Sequence, residues 1–283
     1  MKNNNKIIKF GFNSKFEDSN ISRLSRIKPA GTKLILEPKT DLIELLKLTL
    51  FDLTLKQVLI IKKVLKKSHP KDTRLREYTI VKTGKNFEKY QPDIFEEYFT
   101  KRIDKNSYFQ LKVYLRAICE EIPTESQYKF EIIRSLKIKD LFKRDFFSIV
   151  FTMFKTNSNG KKLKSDITVY LDEVERNVLN LIENEPEKAL ELVLFLQGNI
   201  FLLKNLKFKF QEIQKLGSAI RRTTDNEYFD DWYWTDFMFD FDLSISEMFS
   251  DISEILDSID DYFDFDSTGD WDGDFDFDSD FDF

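Results

Sequence analysis

Side chains able to do covalent chemistry are scarce in this sequence. It holds one histidine, His69, and one cysteine, Cys119, so a mechanism needing two imidazoles or an internal disulfide is excluded. Cys119 falls on an apolar helix side with Leu115, Ile118 and Ile122 and reads as core rather than as a thiol partner of His69. Glu37-Pro38-Lys39 has the Glu-x-Lys spacing of a nuclease carboxylate and lysine, with Asp18 available as a second carboxylate, but the motif is too short to carry an assignment. Asp264-Phe265-Asp266-Ser267-Thr268-Gly269-Asp270 follows the opening of an EF-hand loop, with glycine at the sixth place. Phe275 stands at the twelfth, where a bidentate glutamate is required. No catalytic residue, metal site or cofactor is therefore expected.

Charge is the stronger signal. The chain has 283 residues, 44 Lys and Arg, 50 Asp and Glu, and a net charge of −6. That total conceals a division at Thr223. Residues 223–283 hold 22 acids and no Lys or Arg, so the preceding 222 residues carry 44 basic against 28 acidic residues, a net of +16. Three basic clusters stand out in this body: Lys62, Lys63, Lys66, Lys67 and Lys71; Lys161, Lys162 and Lys164; and Arg221 with Arg222 beside the acidic segment. Summed positive potential of this size favours a polyanion, DNA or RNA, because each phosphate neutralised releases counterions.

The elements that must position these clusters read as mainly helical. Residues 1–39 form an arm with short strands expected over 6–12 and 33–37, the second stopped by Pro38. A basic helical domain spans 40–222. Its first helix starts at Asp41, where Asp41-Leu42-Ile43-Glu44 has capping-box spacing. Thr54-Leu55-Lys56-Gln57 repeats that spacing, so a second helix is expected over 55–67, with Val58, Leu59, Ile61 and Leu65 on its apolar side and the lysines around it. A small hairpin is expected about 78–81 and the turn at 83–86, then helices over 93–103, 107–121, 124–135, 138–155, 166–183 and 187–215. Residues 156–164 read as a polar loop, and the core is expected to centre on 141–154 and 189–203. The most apolar stretch, 189–203, is broken by Gln197, Gly198 and Asn199 and falls short of the roughly 20 residues of a membrane span. No signal peptide is read at the N-terminus, so a cytoplasmic protein without a membrane partner is expected.

The acidic tail, 223–283, divides in two. Over 243–263, Ile245, Met248, Ile252, Ile255, Ile259 and Phe263 recur at three- and four-residue steps, which predicts an amphipathic helix able to self-associate or dock on the body. Over 264–283 aspartate alternates with aromatic rings, a period of two that suits extended backbone. The tail holds 17 aromatics, including Trp232, Trp234 and Trp271, which plain solubilising tails lack. Asp278-Ser279-Asp280-Phe281-Asp282-Phe283 resembles the acidic C-terminal tip of bacterial and phage single-stranded DNA-binding proteins. The resemblance implies a tip that recruits partner proteins and competes with DNA for the protein's own binding surface. Trp271, Phe275, Phe277, Phe281, Asp282 and Phe283 are the expected docking residues.

Two functions follow as expectations. The first is a non-enzymatic nucleic-acid-binding protein whose acidic aromatic tail covers its basic body. The second is a protein-interaction module, of the immunity, adaptor or chaperone kind, whose tail docks on a basic partner.

Overall fold

Two short helices, α1 (Asp18–Leu24) and α2 (Pro29–Leu36), open the fold. It is seen in a computed structural model that describes residues 7–10, 15–67, 71, 73–105, 107–143 and 154–204. Pro29 sits in the first turn of α2, where its missing N–H leaves no hydrogen bond unmade. α3 (Leu42–Leu55) starts where its sequence says it should: the Asp41 carboxylate accepts from the Glu44 N–H at 2.7 Å. Leu45, Leu46, Leu48, Leu50, Leu53 and Leu55 are all buried, so α3 is enclosed on every side and forms the middle of the core.

The helix then stops within one residue. Gln57 takes a positive φ of 53°, its N–H donates to Thr54 O at 3.0 Å, and the Val58 N–H donates to Leu53 O at 2.9 Å. This is the Schellman arrangement, with glutamine in the place usually held by glycine. β1 (Leu59–Lys67) leaves the core from that point and pairs antiparallel with β2 (Leu75–Thr83), from Leu59 opposite Thr83 to Lys67 opposite Leu75. β3 (Tyr108–Gln110) adds to β2 only along Ile80, Val81 and Lys82.

The remaining described helices are α4 (Ile94–Thr100), α5 (Leu111–Glu121), α6 (Glu125–Ser135), α7 (Ser158–Asn184) and α8 (Pro186–Leu196), the last followed by a 3-10 turn, Gln197–Leu202. α2 lies against α3, α6 and α7, and α4 packs on α6. Tyr128 on α6 is fully buried and its hydroxyl meets Thr49 Oγ1 of α3 at 3.0 Å. The fold is mainly α with a small three-stranded antiparallel sheet.

Several elements differ from the sequence reading. Residues 33–36 are helical in α2, not a strand, and 7–10 carry no strand; Ile21, Leu24, Leu34 and Ile35 join the same core as α3. Residues 59–67 are a strand, not a helix. Thr54 caps nothing: it lies in the last turn of α3, its hydroxyl donating to Leu50 O. The helix expected over 138–155 is not seen at 138–143 or 154–155, and 144–153 lie outside the described residues; a 3-10 turn occupies Lys139–Leu141, and Phe142 bridges Thr156 antiparallel. The expected loop at 156–164 holds the start of α7, because Asn157 accepts from the Gly160 N–H at 3.0 Å and caps it. α5 begins at Leu111, the preceding residues 108–110 being strand. The helix expected over 187–215 ends at Leu196, where Gln197 takes a positive φ of 48°; residues 205–215 and the whole tail lie outside the described residues.

The base of the hairpin is the tightest place in the sheet. The Gly84 N–H donates to Val58 O at 2.8 Å and the Asn86 N–H to Gln57 O at 3.0 Å. A β-carbon on Gly84 would lie 2.1 Å from Gln57 O, a backbone atom that cannot swing aside. Gly84→Ala should therefore destabilise the protein by about 2 kcal/mol, the scale of overpacking a tight site. Urea unfolding checks this, and an unchanged midpoint contradicts it.

Candidate nucleic-acid interface

The basic cluster at 62–71 is carried by a β-ribbon. β3 covers β2 only as far as Ile80, so among the described residues the five pairs from Lys63–Thr79 to Lys67–Leu75 are two-stranded, about 17 Å of ribbon at about 3.4 Å per residue. Burial falls along it. Leu59, Ile61 and Val81 are in the core at its base, whereas Leu65 and Leu75 near its end are 65% and 59% exposed. From 59 to 83 the chain carries eight Lys and Arg against two acids, Asp72 and Glu77, a net of +6.

Strand alternation sorts these side chains onto two faces. One face presents Ile60, Lys62, Val64 and Lys66 from β1, Arg76, Tyr78, Ile80 and Lys82 from β2, and Tyr108 and Gln110 from β3. Among the described residues of the three strands, it carries four cations, two tyrosines and no acid. Lys66 stands directly opposite Arg76, which concentrates positive charge at that rung of the ladder. Lys66 Nζ also donates to the Tyr108 hydroxyl and lies 4.3 Å from that ring's centre. The opposite face carries Leu59, Ile61, Leu65, Leu75 and Val81, with Lys63 in an ion pair with Glu77 at 3.5 Å and Lys67 toward the end. Phosphates suit the first face and apolar groups the second. A two-stranded ribbon is also of a size that the DNA major groove admits.

Lys62, Lys66, Lys63 and Lys67 are thus brought onto one element but divided between its faces, and Lys71 lies between the two strands. Arg76, Lys82, Tyr78 and Tyr108 belong to the same surface and were not singled out from the sequence. The signal for them was present as the alternation Arg76-Tyr78-Ile80-Lys82, legible once 75–83 is taken as a nine-residue strand.

The second cluster sits in the first two turns of α7. Lys162 pairs with Glu17, which holds the Glu17 carboxyl below and the Lys162 ammonium above their ordinary ranges. Lys161 and Lys164 line a shallow hollow of about 420 Å³ with Thr156, Ser165, Thr168 and Val169. Cations at a helix N-terminus oppose the helix dipole, so this cluster is held by sequence rather than favoured by the helix. Arg221, Arg222, Trp271, Phe275, Phe277, Phe281, Asp282 and Phe283 lie outside the described residues.

The catalytic and metal readings gain nothing. Glu37 ends α2 and pairs with Lys33 at 2.9 Å, and Asp18 pairs with Lys9 at 2.7 Å. Cys119 is partly buried against the core. Among the described residues no group of three or more His, Cys, Asp or Glu is placed to hold a metal ion, and no helix is long and apolar enough to cross a membrane.

One buried polar network has to be weighed as an alternative site. Glu96 on α4 is wholly buried and accepts from Lys28 Nζ at 2.7 Å, the Tyr90 hydroxyl at 2.9 Å and the Asp93 N–H at 2.8 Å. Lys28 also pairs with Asp93 at 2.7 Å. Burial disfavours the Lys28 ammonium, but Glu96 and Asp93 outweigh it and hold its pKa above the ordinary lysine value. The Tyr90 ring stands between two cations, Lys28 at 5.5 Å and Lys56 at 5.8 Å, and Lys56 in turn pairs with the buried Asp52 at 2.5 Å. Each carboxylate here has an ammonium beside it, Lys28 serving both Glu96 and Asp93 and Lys56 serving Asp52. The network works as a structural clamp beneath the hairpin.

Comparison of the chain with protein-family models, curated proteins and solved structures returned no match.

Burial raises the phenol pKa of Tyr90, Tyr114, Tyr128 and Tyr170 and pushes Tyr98 up to about 12. Each group, with Lys28, keeps its proton in the folded chain beyond the pH of about 10 at which the unfolded chain releases it. The folded state then binds more protons, so stability is intact below about pH 10 and falls as pH rises further. In an alkaline titration part of the phenolate absorbance should appear only in step with the loss of helical circular dichroism. Complete tyrosine ionisation with the helix retained contradicts this.

Proposed function

We propose that the protein is a non-enzymatic nucleic-acid-binding protein. In this reading the β1–β2 ribbon is its contact surface, the acidic aromatic tail regulates access to it, and the protein works in the reducing cytoplasm suited to a lone thiol. The single observation that carries the reading is the acid-free ribbon face, on which Lys62, Lys66, Arg76 and Lys82 surround Tyr78 and Tyr108. Cations pair with phosphates while rings stack on bases, the combination used for single strands, and Tyr108 is the more exposed of the two rings. The body of +16 supplies long-range attraction, and the tail, with its 22 acids, supplies a competitor on the same chain. For a flexible connection that competitor's effective concentration is on the order of millimolar.

A second reading has its own observation. Leu65 and Leu75, exposed together near the ribbon's end, fit a protein partner better than a polynucleotide.

Fluorescence anisotropy with labelled single-stranded DNA and RNA tests the proposal. The full chain should bind weakly and the 1–222 fragment more tightly, with an affinity that falls steeply as salt rises. Lys62→Ala, Lys66→Ala and Arg76→Ala should each weaken the fragment and lower its salt slope by about 1. A folded 1–222 fragment that binds neither polymer even at low salt overturns the proposal in favour of a basic protein partner for the tail.

A further inference from the structure

The last residues of the chain repeat the two-faced pattern of the ribbon in complementary form. Every even position from Asp272 to Asp282 is aspartate, and Trp271, Phe275, Phe277, Phe281 and Phe283 stand at odd positions. In extended backbone that order puts a row of carboxylates on one side and a row of rings on the other. The hairpin strands carry Lys62, Lys66, Arg76 and Lys82 on one face and the exposed Leu65 and Leu75, with Lys63 and Lys67, on the other. We infer that residues 275–283 add as a further strand to the outer edge of β1, aspartates beside Lys62 and Lys66, rings on the side of Leu65 and Leu75. The inference rests on the reading that the tail masks the ribbon, and it names the masked atoms.

Three observations select this occupant. Among the described residues β1 is an edge strand, because the sheet order is β1-β2-β3, and an edge strand presents a row of N–H and C=O groups on which another strand can add. It is nine residues long, as is 275–283. Charge then decides between partners. A second copy of β1 would bring lysines against lysines, and two tails would bring aspartates against aspartates, each destabilising for directly opposed side chains. Only tail against β1 joins unlike charges. Reach is sufficient: 70 residues separate Lys204, the last described residue, from Phe275, and a chain can span up to about 3.3 Å per residue.

Strand addition has a consequence that charge attraction alone does not. Backbone bonds set the affinity and side-chain pockets the register, as in other edge-strand complexes. Masking then depends on alternation and not only on composition.

The test uses the full chain and one variant in which 274–283 is reordered so that aspartate and phenylalanine no longer alternate, with composition and net charge kept. Residues 1–273 are untouched, so the body folds as before. Backbone hydrogen exchange is followed over 59–67, with single-stranded DNA binding measured in parallel. The outward-facing β1 amides should be protected in the native chain and exchange at least about tenfold faster in the reordered one. DNA binding should tighten with the same change. Equal protection in both chains overturns strand addition while leaving a charge-only mask intact. Protection that grows with protein concentration overturns the within-chain arrangement. If neither chain nor the 1–222 fragment binds DNA, the nucleic-acid reading fails, and exchange at β1 still decides the strand by itself.

Discussion

Burying the Glu96 carboxylate costs several kcal/mol if its charge is unmatched, and the base of the ribbon is built around the solution to that problem. Lys28 and Tyr90 satisfy Glu96 from above, and the Asp93 N–H satisfies it from its own helix. The Tyr90 ring is held in turn between Lys28 and Lys56. Lys56 is the residue at which α3 ends, and its carbonyl accepts from Asn86 Nδ2 at 3.0 Å. Asn86 also receives the Tyr90 N–H at 3.0 Å. Through these bonds a buried charge fixes where the helix stops and where the two strands leave the core.

A fixed base is what allows the rest of the ribbon to be exposed. Leu59, Ile61 and Val81 anchor its first pairs in the core, and Gly84 lets the returning strand press against Gln57. Beyond β3 the ladder continues for five more pairs without a third strand among the described residues. An isolated two-stranded hairpin is marginal in water, so its order depends on that anchorage.

The sequence made much of this legible and hid one part of it for a definite reason. Asp41 as the start of α3 and Pro186 as the start of α8 were readable, because capping and first-turn chemistry are local. Ile60-Ile61-Lys62-Lys63-Val64-Leu65-Lys66-Lys67 was not readable as a strand. Two apolar residues followed by two lysines, repeated, satisfy a helical stripe, and they also give a strand whose faces each alternate apolar with basic. What settles the case is Gln57 in a left-handed conformation, which no glycine announced. The start of α7 was hidden by the opposite effect: Asn157-Ser158-Asn159-Gly160 has loop composition, yet Asn157 is a cap. As for the site, the lysines were found from composition, whereas Arg76, Lys82 and the two tyrosines required the strand register.

The central claim is that polynucleotide meets the acid-free ribbon face, and chemical-shift mapping of the 1–222 fragment tests it most directly. On addition of a single-stranded oligonucleotide at low salt, the largest shifts should fall on Lys62, Lys66, Arg76, Tyr78, Lys82 and Tyr108. Shifts centred instead on Lys161 and Lys164, or none at all, would contradict it.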